Sequence, residues 1–299
     1  MITLHRGEAD LLQVSAGTLQ SPLLLLRSGL KNPQIGRNLH LHPVTLLAAT
    51  FPDRLNPWEG GILTTLVDEF QNLDGHGHGA KLECMTMLPS WFLPFLPWSG
   101  GLEYKTLCSK FSHMTGHIAL VRDRDSGRVY PDPTDGKCRI AYTPSAFDKK
   151  HCLEGALALA RILYVQGAKE IITVTAGMPT FTRPDVTGGD SGDGINDPAF
   201  QAWLAEMRRR GVDPPETGWG SAHQMGTCRM ATTQKAGVVD QKGKVWGVEG
   251  LYVADASVFP SASGVNPMIT NMAISDWISR GIARGMSGGE TETETRARL

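Results

Sequence analysis

The segment that decides the fold reads GLYVADAS over residues 250–257 and is followed nine residues later by NPMIT over residues 266–270. The first part is a short apolar strand ending in Asp255, a small residue and a serine. This pattern is typical of the carboxyl end of a sheet, where a cofactor meets backbone groups. In the second part, Asn266 is a good helix N-cap and Pro267 suits the first helical turn. The opening N–H groups of such a helix are unpaired and partly positive, so they favour an anion such as a phosphate.

A histidine precedes this segment in a loop of small residues. His223 lies in SAHQMGTC, residues 221–228, and Asn266 follows it 43 residues later. An imidazole can accept a proton near neutral pH, and a neighbouring amide can donate a hydrogen bond to an alcohol oxygen. Each residue alone is more often structural, because most loop histidines are satisfied or exposed and Asn-Pro is usually only a helix cap. The ordered set is more specific than its parts.

The composition bounds the class of protein. The 299 residues carry 29 Lys plus Arg and 30 Asp plus Glu, so the formal net charge is -1, which argues against a nucleic-acid binder. A hydrophobic fraction of 41% supports a buried core. The five cysteines are odd in number and contain no C-x-x-C, so a disulfide framework or a cysteine zinc site is not expected, and a reducing compartment is the default. Residues 1–10 lack the apolar core of a signal peptide, so secretion is not expected.

Local patterns predict a strand over residues 11–15 and a helix over 23–27, opened by Ser21-Pro22 and stopped by Gly29. That strand has no partner nearby, so its sheet should lie elsewhere. Further strands are predicted over 44–51, 80–87, 117–122, 138–142, 171–175 and 251–254, with a hairpin turn at 125–127. Further helices are predicted over 146–166, from Asp197-Pro198 to Arg210, and over 267–284.

Residues 221–275 resemble the C-terminal signature of the glucose–methanol–choline (GMC) flavin oxidoreductases. Residues 14–22, followed by 23–29, resemble that family's second signature, and residues 35–43 continue it. The amino acids in these segments are most similar to those of the long-chain (fatty) alcohol oxidase branch. Residues 58–62, 121–124 and 221–226 also resemble that branch. The resemblance extends over residues 10–285 and is weakest across 176–218.

The resemblance implies an enzyme that uses FAD to oxidise long-chain alcohols to aldehydes, with O2 reduced to hydrogen peroxide. His223 would take the proton of the substrate hydroxyl, and Asn266 would hydrogen-bond the substrate oxygen. Asp255 and Ala256 would lie along the ribityl and pyrophosphate of FAD, and the backbone at Pro267 and Met268 would face the flavin pyrimidine. Gly17 would contact the adenosine side. No metal is expected.

The fold expected from this resemblance is α+β, with an antiparallel substrate-domain sheet, helices, and the C-terminal part of a truncated FAD-binding domain. Residues 1–38 would be the residual strand and helix of the FAD domain, and residues 39–215 the substrate-binding domain. Residues 216–286 would return to the FAD domain with the catalytic pair, and residues 287–299 would be a disordered tail.

One departure from the family is serious. GMC proteins begin with a G-x-G-x-x-G strand–turn–helix that holds the FAD pyrophosphate. The only match here is Gly75 to Ala80, which follows a polar run and precedes a β-type segment, so a flexible loop is predicted. The chain is therefore expected to be the C-terminal part of the enzyme. The alternative function is an inactive fragment without bound flavin.

Four weaker signals stay open. Residues 89–98 (PSWFLPFLPW) are either a buried core loop or an apolar mouth for an alkyl chain or a membrane surface. Ala297-Arg298-Leu299 resembles a peroxisomal address of the Ser-Lys-Leu type. The pairs His40/His42, His76/His78 and His113/His117 have metal-like spacings but are expected to be structural. Ser191 lies in a Gly-Asp-Ser-Gly loop that could hold a hydrolase nucleophile, with a solvated loop as the expected alternative.

Overall fold

The computed structural model describes residues 11–61, 63–184 and 194–286. The strands are β1 (Leu12–Val14), β2 (Arg37–Leu39), β3 (Val44–Thr50), β4 (Leu66–Val67), β5 (Ala80–Cys84), β6 (Met114–Val121), β7 (Gly127–Pro131), β8 (Cys138–Ala141), β9 (Glu170–Thr173), β10 (Phe181–Thr182) and β11 (Leu251–Val253). The α-helices are α1 (Gly17–Arg27), α2 (Pro89–Phe92), α3 (Gly101–Ser109), α4 (Ala146–Val165), α5 (Pro198–Arg210) and α6 (Met268–Met286). Within these ranges, no helix is long and apolar enough to cross a membrane. The α+β fold is confirmed.

The chain divides into two compact units. The first contains Met1–Leu41, Asp125–Thr143 and Ala222–Leu299, and the second contains His42–Arg124 and Pro144–Ser221. The expected division at residues 38 and 215 stays a prediction; in the structure, residues 125–143 of its middle segment belong to the first unit. Their strands β7 and β8 pair with β2, which precedes residue 41. The expected tail, residues 287–299, and Ser191 lie outside the described residues.

The first unit is built on two small sheets. Strand β1 pairs in parallel with β11, so the partner that the sequence left open is Leu251–Val253. Strands β2, β7 and β8 form an antiparallel sheet. The predicted hairpin at residues 125–127 is wrong, because β7 pairs with β2 and β8 whereas β6 belongs to another sheet. Gly127 therefore begins a strand of the first unit and does not turn the chain back along β6.

The second unit is a six-stranded antiparallel sheet in the order β10-β9-β3-β6-β5-β4. Helix α4 packs on one face, where a Cβ on Gly155 would lie 2.7 Å from the Ala80 side chain. Small residues at this contact let the helix approach closely. The other face packs against α2 and the turn after it, which bury Phe92 and Leu96. Residues 89–98 are thus partly a core segment.

Helix α1 begins at Gly17, six residues earlier than predicted, and contains Pro22 within it. A proline inside a helix has no N–H to donate to the carbonyl four residues before it. Here that carbonyl is Thr18 C=O, and it accepts a hydrogen bond from Thr227 Oγ1 at 2.6 Å. The hydroxyl of a distant residue thus replaces the bond that proline removes, and the helix runs through Pro22.

This replacement can be tested on the buried Thr227. Thr227→Val should lower the free energy of unfolding by about 1–2 kcal/mol, because it leaves the Thr18 carbonyl without its donor. Thr227→Ser keeps the hydroxyl and is the matched control. Chemical denaturation followed by circular dichroism measures both, and equal losses in the two variants would show that the hydroxyl contributes nothing.

Candidate active site

A buried carboxylate joins the strands of the small parallel sheet to the helix that follows β1. Asp255 is the N-cap of a single 3-10 turn, Ala256–Val258, and its Oδ1 accepts from the Ser257 N–H at 2.8 Å. Its Oδ2 accepts from the Gly17 N–H at 2.9 Å and from the Ser21 hydroxyl. The Asp255 carboxylate therefore lies at the N-terminus of α1, where the helix dipole favours a negative charge.

This arrangement brings together two predicted cofactor residues, Gly17 and Asp255, which are 238 positions apart in the chain. Gly17 has a φ of +79°, a conformation that favours glycine, and no atom of the described residues lies within 4 Å of where its Cβ would be. The backbone at the start of α1 is thus open to a ligand on that side.

The loop that carries His223 is fastened to the turn after Asp255. The N–H groups of Gly226, Cys228 and Met230 donate to the carbonyls of Ala256, Ser257 and Val258 at 3.1, 2.8 and 2.8 Å. Gly226 has a φ of +92°, and a Cβ there would lie 2.4 Å from the Asn38 carbonyl oxygen, so only glycine fits. On the helix side, the Thr18 hydroxyl donates to the Gln224 carbonyl at 2.7 Å. Gln224, the residue after His223, is therefore held between α1 and the turn.

His223 itself is half-buried. Burial lowers the pKa of its imidazole below the ordinary value, because desolvation disfavours the charged form. At neutral pH the ring is therefore held in the neutral state, which is the state that can accept a proton.

Asn266 and Pro267 are also half-buried and precede α6 directly. The Asn271 N–H donates to the Pro267 carbonyl at 2.7 Å, which starts the helical bonding pattern. Farther along α6, the Ser275 hydroxyl donates to the Ala254 carbonyl at 3.1 Å and fixes the helix to the residue before Asp255. Gly17, His223, Asp255, Ala256, Asn266, Pro267 and Met268 therefore all belong to the first unit. The pairing of the His223 and Asn266 side chains stays a prediction.

Two structural donors of this region were not among the predicted site residues. Ser21 precedes Pro22, a local pattern that indicates only the start of a helix. Thr227 has no local signal, because its partner carbonyl lies 209 positions away.

The glycine-rich segment at residues 75–80 is a loop, as predicted, but its backbone is not free. Asp74 Oδ1 accepts from the N–H groups of His76 and His78 at 2.8 and 3.0 Å, and Asn72 Oδ1 accepts from Gly77. Side chains of the same loop thus satisfy these three N–H groups, and the flexibility of the loop stays a prediction. They are therefore engaged within the loop, and β5 follows in place of a helix.

The metal-like histidine pairs do not assemble into a metal site. Across the described ranges, no group of three or more His, Cys, Asp or Glu side chains is placed to hold a metal ion. His78 Nδ1 instead lies 2.8 Å from Asp74 Oδ2, and the His117 ring contacts the Thr115 hydroxyl at 2.7 Å.

Family models identify the class of protein. A model of the GMC oxidoreductase C-terminal domain matches residues 115–275, and a model of the N-terminal domain matches residues 5–44. The chain belongs to the GMC oxidoreductase family, whose members are FAD-binding flavoenzymes.

Curated relatives place the chain near one branch of the family. It is 36% identical to the long-chain-alcohol oxidase FAO3 of Arabidopsis thaliana, over 94% of this chain and 37% of the relative. It is 34% identical to FAO1 of the same plant, over 91% of this chain and 35% of that protein. The chain thus spans little more than a third of the length of these relatives.

Solved structures agree on the fold. Pyridoxine 4-oxidase from Mesorbium loti superposes with a TM-score of 0.59 at 18% identity, over 91% of this chain and 51% of that protein. A formate oxidase variant of Aspergillus oryzae RIB40 superposes with a TM-score of 0.56 at 17% identity, over 89% and 52% of the two chains.

The role of the Asp255 carboxylate can be tested by removing its charge. Asp255→Asn should lower the free energy of unfolding by about 2–3 kcal/mol, because a buried oxygen acceptor becomes an NH2 group and the helix N-terminus loses its anion. The exposed Asp276 of α6, which pairs with Arg280, provides the control. Asp276→Asn should change stability by no more than about 0.5 kcal/mol. A similar loss in both variants, measured by thermal and chemical unfolding, would contradict the capping role.

Proposed function

We propose that this protein contributes the substrate-oxidising part of an FAD-dependent oxidase of long-chain primary alcohols, giving an aldehyde and hydrogen peroxide. The observation that carries the proposal is the half-buried His223, in a loop fastened to both α1 and the turn after Asp255, where burial lowers the pKa of its imidazole. The similarity to long-chain-alcohol oxidases supports the substrate class.

His223 would accept the hydroxyl proton of the alcohol on an imidazole nitrogen. Asn266 cannot titrate, so its amide would orient the alcohol by a hydrogen bond to the same oxygen. With the proton removed, electron density on the oxygen favours departure of a hydride from the adjacent carbon. When bound, FAD would supply the acceptor for that hydride, and O2 would reoxidise the reduced flavin.

The residues present fit one part of FAD. Asn271, in the first turns of α6, has a buried Oδ1 that accepts no hydrogen bond from the described part of the chain, so a polar group at this helix end would satisfy it. The open face of Gly17 leaves room for a ligand beside the α1 N-terminus. Backbone at Pro267 and Met268 would face the flavin pyrimidine, Asp255 and Ala256 would lie along the ribityl and pyrophosphate, and Gly17 would contact the adenosine side.

The alternative is a chain that holds no flavin and does not turn over. The observation that favours it is the loop at residues 75–80, in which the N–H groups of His76, Gly77 and His78 are already bonded and which is followed by β5. In that case residues 75–80 would not bind the pyrophosphate as a G-x-G-x-x-G turn does.

Flavin absorbance distinguishes the two functions. The purified chain is incubated with FAD, freed of unbound cofactor and scanned; retained flavin supports the oxidase, and none supports the inactive alternative. In flavin-loaded protein, His223→Ala should slow anaerobic bleaching by a long-chain alcohol at least ~100-fold, the scale of general-base loss.

His76→Ala, at an exposed histidine of the second unit, is the matched control and should bleach at the wild-type rate. Because burial lowers the pKa of His223, the wild-type rate should persist when the pH falls somewhat below the ordinary histidine range near 6.5. Unchanged bleaching in His223→Ala would end the assignment of the base.

We also propose a peripheral membrane contact. Residues 85–102 contain no charged side chain, and five large apolar side chains stay exposed there at alternating spacings of three and four: Leu88, Trp91, Phe95, Trp98 and Leu102. Trp98 is 71% exposed and Trp91 66%. Tryptophan at the edge of an apolar surface is favoured where lipid meets water.

A peroxisomal location is proposed from Ala297-Arg298-Leu299, which lie outside the described residues.

Both proposals can be tested in cells with a fluorescent fusion at the N-terminus. Removing residues 297–299 should change a punctate peroxisomal signal into a diffuse one. A double variant, Trp91→Gln with Trp98→Gln, should move the protein from the membrane fraction to the soluble fraction, because the exposed indoles are lost. Replacing the exposed Trp277 of α6 by Gln is the control. A diffuse wild-type signal would reject the peroxisomal address, and an unchanged membrane fraction would reject the contact.

A further inference from the structure

Two arginines face each other on neighbouring strands of the first unit. Arg37 of β2 lies directly opposite Arg128 of β7 in the antiparallel register. Like charges in directly opposed positions destabilise a strand pair. Both side chains are exposed, and within the described part of the chain no carboxylate forms an ion pair with either.

The local backbone produces this juxtaposition. The register shifts between Arg37 and Leu39, so Asn38 is an extra residue in β2 and adopts a φ of +63°. Such a bulge bends a strand and redirects a neighbouring side chain. Gly36 precedes it with a φ of +80°, and a Cβ there would lie 2.2 Å from the Val129 carbonyl oxygen. The two strands therefore come together closely beside the arginines, and only glycine permits that approach.

Two cavities adjoin the arginine pair, and no acidic residue of the described ranges lines either of them. One, of about 280 Å³, adds Lys31, Asn32 and Tyr130 to the two arginines, over an apolar floor that includes Leu26 and Ile35. The other, of about 360 Å³, adds Asn38 and Ser126. The Arg128 guanidinium lies 4.9 Å from the Tyr130 ring centroid, a cation–π contact that helps to hold it in place.

Two acidic residues of the β7–β8 hairpin already have cationic partners. Asp132 bonds Arg139 at 2.6 Å, and Asp135 bonds Lys137 at 3.1 Å, all in or beside the β7–β8 hairpin. Three cations, Lys31, Arg37 and Arg128, thus line the smaller cavity, and among the described residues no carboxylate is paired with any of them. Guanidinium groups bind planar or tetrahedral oxyanions through paired N–H bonds.

We propose that the Arg37–Arg128 pair is an anion site that takes a phosphate group, either free phosphate or a small phosphate monoester. The ligand would neutralise the opposed charges, and the smaller cavity has room for a phosphate with a short apolar or aromatic substituent over Leu26 and Ile35. The site does not depend on the proposed alcohol oxidation, because His223 and Asn266 take no part in it.

Binding of inorganic phosphate by the full chain tests the site directly. Calorimetric titration is run against chloride at matched ionic strength. Arg37→Gln and Arg128→Gln should each weaken phosphate binding at least ~10-fold, because each removes one charge-assisted contact. Arg139→Gln, on the same sheet and with the same change in net charge, should stay within about twofold of the wild type, because its charge is already paired with Asp132.

Thermal unfolding gives a second measurement. Without phosphate, either arginine variant should melt at the wild-type temperature or above it, because the repulsion is relieved. Phosphate should raise the melting temperature of the wild type and of Arg139→Gln but not of the other two. An equal response of wild type to phosphate and chloride, or an equal loss in Arg139→Gln, would overturn the proposal.

Vesicle sedimentation distinguishes a lipid phosphate from a soluble phosphate ligand. Phosphatidylcholine vesicles with and without phosphatidic acid are sedimented with the wild type and Arg128→Gln. Retention that needs both phosphatidic acid and Arg128 would identify a lipid headgroup, whereas phosphate binding without such retention would identify a soluble ligand.

Discussion

The Asp255 carboxylate is the contact on which the first unit depends. Its two oxygens accept from backbone and side-chain donors in the first turns of α1 and in the turn after β11, so one side chain joins segments from opposite ends of the sequence. A buried carboxylate is tolerated only where such donors satisfy it. Because β1 and β11 are three residues each, their parallel ladder alone would be a weak link, and the carboxylate supplements it.

The chemistry that we propose depends on the segments that are hydrogen-bonded to residues 254–258. The segment after His223 is bonded to the carbonyls of residues 256–258, and α6 is bonded to Ala254. The histidine loop and the helix that starts after Asn266 therefore share one support. A base and an orienting amide lose much of their effect when they are misplaced by even an ångström, so a common support is a physical requirement of the proposed reaction.

Features that are decided locally could be predicted from the sequence. Helices α4 and α5 appear almost where their patterns put them, because Ser145 accepts from the Asp148 N–H and Asp197 from the Phe200 N–H, as helix caps do. The start of α1 could not be predicted, because the carboxylate that caps it belongs to Asp255, 238 positions away from Gly17. The prediction of a hairpin at residues 125–127 was wrong for a similar reason: the strand that begins at Gly127 pairs with β2, which is distant in the sequence and belongs to a different sheet from β6. Of the predicted site, the structure joins Gly17 to Asp255, while the roles of His223 and Asn266 rest on the family resemblance.

The hydroxyl that donates to the Thr18 carbonyl couples the residue at position 227 to the residue at position 22. Proline at position 22 creates an unmet acceptor, and threonine at position 227 meets it. A variant with an amide hydrogen at position 22 no longer needs the hydroxyl, whereas one that loses the hydroxyl first has a buried carbonyl without its donor. Exchange at this pair is thus ordered, with the proline free to change before the threonine and the reverse route disfavoured.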